Sequence, residues 1–133
     1  VSVMGLLTLV LIAIQIGVIG AVSVLVAPTV FKSLEASAAG AFLRRLFPRY
    51  FVTAAVLGLL ASVVAVLGDQ LAAAAILGLD GLCFVAARGL VPAINAAKDR
   101  GDRSFARLHL FSVVLNTAGL VLAVAAMGVV IVS

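Results

Sequence analysis

Four long apolar runs leave this 133-residue chain few ways to fold. They cover roughly Val3–Phe31, Tyr50–Gly68, Leu71–Val91 and Phe105–Val132. Crossing bilayer hydrocarbon as a helix takes ~20 apolar residues. In lipid the backbone must satisfy its own hydrogen bonds, so runs of this length are helices rather than strands. Barrel strands are excluded, because they alternate polar and apolar side chains over ~10 residues. The expectation is an all-α integral membrane protein, an antiparallel up-down bundle of four transmembrane helices in one domain, residues 1–133. Composition agrees: 65% of residues are hydrophobic and 11% are charged, against about 25% charged in a soluble domain. Too few polar side chains exist to cover a globule in water, which excludes a soluble enzyme or a disordered tail. The single cysteine, Cys83, has no internal partner and reads as a small buried hydrophobe. The opening VSVMGLLTLV lacks a basic leader, and its apolar run outlasts a signal-peptide core, so it reads as a permanent span.

The scarce charge is sorted. The first connection and its flanks hold Lys32, Arg44, Arg45 and Arg49 against Glu35. The third holds Arg88, Lys98, Arg100, Arg103 and Arg107 against Asp99 and Asp102. The second is little more than Asp69-Gln70. In an up-down bundle the first and third connections share a side, which then carries all nine basic residues. The positive-inside rule makes that side cytoplasmic, with both termini outside. A bacterial inner (plasma) membrane is the expected location. The pI near 10.3 therefore reflects topology and not nucleic-acid binding. Within the first connection, Phe42, Leu43, Leu46 and Phe47 share one helical arc, while Arg44 and Arg45 take the other. That pattern predicts a short amphipathic helix on the membrane surface, ended by Pro48. Pro92 is expected to kink or end the third span.

Small residues recur at helical spacing: Ala13, Gly17 and Ala21; Ala54, Gly58 and Ser62; Ala74 and Gly78 with Gly81; Gly119 and Ala123. Such stripes let helix backbones approach closely where lipid offers no hydrophobic drive. They serve either packing within the bundle or docking of a partner helix. The expected partners are therefore the lipid bilayer and other membrane subunits or a second copy.

Three polar residues fall near mid-bilayer: Gln15, Asp80 and Asn116. Asp80 is a protonatable or cation-binding site, an interhelical hydrogen-bond staple or a subunit contact. Arg88 lies ~12 Å along the helix from Asp80, too far to pair, so Gln15, Asn116 and Thr117 are the candidate partners. His109, Ser112 and Asn116 share one face of the fourth span. His109 reads as an interfacial imidazole or part of a polar site, with haem or chlorin ligation the remote alternative. The sequence holds no metal-ligand spacing, phosphate loop or nucleophile–base set, so no cofactor, metal site, catalytic residue or enzyme activity is expected.

The strings Phe47-Pro48-Arg49-Tyr50-Phe51, Pro92-Ala93-Ile94-Asn95 with Lys98-Asp99, and Leu108-His109-Leu110-Phe111-Ser112 with Leu115-Asn116 follow one another on this four-span chain. Together they resemble the transmembrane protein 205-like family, a domain of unknown function (DUF4149). The resemblance covers nearly the whole chain and implies a small integral membrane protein. A eukaryotic member's association with platinum-drug resistance suggests export. The shared residues Arg49, Tyr50, Asn95, His109 and Ser112 all fall at the basic ends of the spans, as a polar clasp or a binding site. Two roles follow as expectations: an accessory or structural subunit of a larger membrane complex, or a small-solute or metal-ion transporter.

Overall fold

The computed structural model describes residues 1–133 and contains helices and short turns only. Helix α1 (Val3–Gly20) opens on Ser2, whose hydroxyl accepts the Gly5 N–H at 3.0 Å. It continues through a wider π-helical segment, Ala21–Val26, into α2 (Ala27–Ser33). The widening has a local cause. Pro28 has no N–H to give the helix, and just before it the Ala27 N–H bonds back to the Val22 carbonyl, five residues away. Helix α3 (Ala36–Leu67) and α4 (Leu71–Arg100) form a hairpin, and α5 (Ser104–Val132) completes the bundle. Four spans result, the first being the continuous stretch Val3–Ser33.

Two of the connections turn on a residue with positive φ. Asp69 takes a left-handed conformation (φ 58°) in the α3–α4 turn, which a short polar side chain tolerates. Gly101 does the same (φ 62°) as the C-cap of α4.

Packing is set by small residues. Helix α3 lies against α4, α4 against α5, and α1 sits between α3 and α5, diagonally across from α4. A methyl group on Gly58 would strike the Asp80 carboxyl and come within 2.9 Å of the Gly81 backbone. One on Gly119 would strike the Phe84 ring. The stripes of the second, third and fourth spans thus serve close approach within the bundle. The stripe of the first span does not: Ala13, Gly17 and Ala21 are exposed, and Gly17 has open space around its Cα. Large apolar side chains such as Val52, Leu79, Leu82 and Val124 point outward, as they should where lipid is the solvent.

Two sequence expectations change. Residues 36–47 are not a separate surface helix. They are the opening turns of α3, with Ala39 and Leu43 buried alongside Val30 of α2. Pro48 does not end that helix, nor does Pro92 end α4. A proline inside a helix removes one donor, and neighbouring helices and tight local packing sustain such helices in a membrane.

Candidate functional site

The basic end of the bundle is hollow. A cavity of about 360 Å³ opens there between α2, α3, α4 and α5. Its walls are largely apolar, with Phe31 from α2, Phe47 and Phe51 from α3, and Val91 from α4. Cations stand around it: Arg44 on α3 and Lys98 on α4. Arg44 forms a bidentate ion pair with Asp99. Lys98 has no acid partner and lies 5.6 Å from the Phe105 ring centroid. His109 stacks on the other side chain of that pair, with ring centroids 5.8 Å apart from Phe105.

Polar groups line one wall and lead inward. His109, Ser112 and Asn116 of α5 all line the cavity, as their shared helical face requires. Ser112 donates to the His109 carbonyl at 2.7 Å. Asn116 is held from two sides: the Tyr50 hydroxyl donates to its Oδ1, and its Nδ2 donates to the Ser23 hydroxyl at 3.1 Å. Ser23 lies in the π-helical segment, so the wide turn joins a polar contact between the first and fourth spans. Next to this contact, Tyr50, Phe51 and Phe84 pack ring against ring, with centroids 5.3 to 6.4 Å apart. All three rings belong to one buried core cluster, in which Phe51 also lines the cavity while Tyr50 and Phe84 lie beyond it.

The five residues expected at the basic ends separate into three groups. Asn95, His109 and Ser112 line the cavity. Tyr50 is buried behind it and touches it through Asn116. Arg49 is exposed and lies outside the lining. Sequence reasoning missed Arg44 and Lys98, although the signal was present. Both are cations that line the cavity while staying exposed, and the sequence pattern sets Arg44 on the polar arc of a surface helix. Because α3 runs straight through Pro48, Arg44 stays in register with the bundle.

The mid-membrane residues also separate. Gln15 and Asp80 meet: Gln15 Nε2 donates to Asp80 Oδ2 at 2.9 Å and to the Ala54 carbonyl at 2.8 Å. Both side chains are completely buried. Asn116 joins Tyr50 and Ser23 instead, and Thr117 donates to its own helix at the Val113 carbonyl. Phe84, one turn along α4 from Asp80 and fully buried, packs edge-on against the Tyr50 ring. An aspartate at the centre of a membrane helix costs ~2.5–3.5 kcal/mol on insertion scales, so its contact with Gln15 offsets part of a real penalty.

No curated protein matches this chain, and no solved structure matches it either. The family described as "Domain of unknown function (DUF4149)" matches residues 10–103. That stretch takes in Gln15, Arg44, Tyr50, Asp80, Asn95 and Lys98, and stops before His109. With most of its length matched, this chain, whose four helices are long and apolar enough to span a bilayer, belongs to the DUF4149 family.

Proposed function

We propose that this protein is a non-enzymatic accessory protein of the membrane that holds an anionic amphiphile in the cavity at its basic end. One observation carries the reading: a cavity with apolar walls has on its lining Lys98, a cation with no acid partner, beside Arg44, which is paired with Asp99. Apolar walls suit an acyl chain, and the cations suit a phosphate or carboxylate headgroup. Net positive charge near the inner leaflet attracts anionic lipid with about 1 kcal/mol per basic residue. In this reading the basic end faces the cytoplasm of a bacterial inner membrane. The exposed Ala13, Gly17 and Ala21 face of the first span supports contact with a neighbouring membrane helix.

The experiment is anionic-lipid retention through detergent purification, read by native mass spectrometry. An Arg44→Ala, Lys98→Ala double variant is expected to retain at least about tenfold less phosphatidylglycerol than wild type. The double variant Arg45→Ala, Arg49→Ala removes the same charge from exposed positions outside the lining. It is expected to behave as wild type. Equal losses in both variants would replace the cavity with diffuse surface attraction, and no loss in either would remove the lipid site.

A further inference from the structure

The Gln15–Asp80 contact is short of one donor. Gln15 sits on α1 and Asp80 on α4, while Ala54 and Gly58 of α3 and Gly119 of α5 close around them. All four spans thus meet at this level. The orientation of the Gln15 amide is set by its partners, the Ala54 carbonyl and Asp80 Oδ2. Both are acceptors, so turning the amide over would set oxygen against oxygen. Its two N–H groups are then both used. Left over are Gln15 Oε1 and Asp80 Oδ1, both buried and neither receiving a hydrogen bond from another protein group. Buried polar atoms normally have partners, and here two acceptors lack any.

What could supply the donor is narrowly limited. A hard metal ion takes about six oxygen ligands, and this site has no group of three ligating side chains. Gly58 and Gly119 offer backbone carbon where further ligands would have to stand. One proton fits. On Asp80 it turns an acceptor oxygen into an O–H donor and removes the charge from the low-dielectric interior.

We propose that Asp80 and Gln15 form a one-proton binding site, and that the bound proton keeps α1 docked across the bundle on α4. The proposal is independent of the cavity and its ligand. Deprotonation leaves a buried negative charge with one protein donor, Gln15 Nε2, and no cation. Other titratable groups near this level are Tyr50 on α3 and Cys83 on α4. Helix α1 carries none, and on α5 the nearest is His109, ten residues from Gly119 and ~15 Å along the helix. Raising the pH therefore acts on the α1–α4 contact through Asp80. Among the spans, α1 is the least enclosed by the others, so it is the element free to respond.

Two measurements on the full chain in nanodiscs test this. Carbon-13 labelling of aspartate carboxyls reports Asp69, Asp80, Asp99 and Asp102 together. One of the four is expected to stay protonated at neutral pH, and that signal to vanish in Asp80→Asn. Spin labels at Ile14 and Leu82, in a Cys83→Ala background, report the α1–α4 separation. It is expected to widen with rising pH in wild type and to stay short in Asp80→Asn, whose amide carries a permanent donor. Four carboxyls that all ionise in the ordinary acidic range would overturn the proposal, even if the variant failed to fold. So would a separation that moves alike in both proteins, or in neither.

Discussion

Single glycines carry much of the packing, and their positions separate into two kinds. Gly58 faces the Asp80 carboxyl and the Gly81 backbone, both too close for a methyl group. Gly89 on α4 has open space within 4 Å. Gly58→Ala is expected to destabilise the bundle by about 1–3 kcal/mol, the usual range for overpacking a close contact. Gly89→Ala is expected to be neutral or to stabilise by about 0.5–1 kcal/mol, since alanine suits a helix better. Thermal unfolding in one detergent measures both. The stripe Ala54, Gly58 and Ser62 was legible as a packing motif from spacing alone. That the matching stripe of the first span turns outward was not, because spacing marks a face without saying what covers it. Asp80 is a parallel case. Its depth follows from counting along the helix, and Gln15 was among its candidate partners, but choosing Gln15 over Asn116 required the arrangement of the helices.

At the scale of elements, α5 begins on a small polar turn. Asp102 Oδ1 accepts the Ser104 N–H at 3.0 Å, and the Asp102 carbonyl accepts from Phe105. The Ser104 N–H, aided by the nearby Arg100, holds the Asp102 carboxyl below its ordinary value. A carboxyl depressed in the folded state contributes stability above its unfolded pKa, and loses it as pH falls through the folded value. The first turn of α5 is therefore expected to exchange its amide hydrogens slowly at neutral pH and faster, relative to α5's middle, in acid. Asp102→Ala is expected to abolish that pH dependence, as hydrogen exchange read by mass spectrometry would show. The ends of the elements were less legible than their middles. Hydropathy marks where lipid contact starts, so the second span read as starting at Tyr50, while the helix itself starts at Ala36. Pro48 reads as a stop because proline removes a backbone hydrogen bond and crowds the preceding turn, costs that neighbouring helices and local adjustments absorb in a membrane. The π-helical turn left only one trace in the sequence, Pro28 inside an apolar run.

At the scale of the whole molecule, sidedness is the property most open to test. Single cysteines replacing Lys32 or Arg103, in a Cys83→Ala background, are expected to react with a membrane-impermeant maleimide only from the cytoplasmic side. A cysteine at Asp69 is expected to react only from the opposite side. Labelling of both classes from one side would overturn the up-down arrangement, and an exchange of sides would reverse the proposed orientation. The sequence by itself determined the solvent, the number of spans and the end that carries the charge. Each of these depends on composition along the chain, and hydrocarbon of a given thickness reads that composition directly. Only the tertiary structure decided that Arg44 and Lys98 share a cavity with His109, that Tyr50 reaches Asn116, and that Gln15 and Asp80 meet while two of their oxygens go without a donor. Those outcomes depend on how helices far apart in sequence are rotated against one another. In a membrane that rotation is set by the fit of glycines, alanines and a few polar side chains across helix faces, and spacing within a single helix does not contain it.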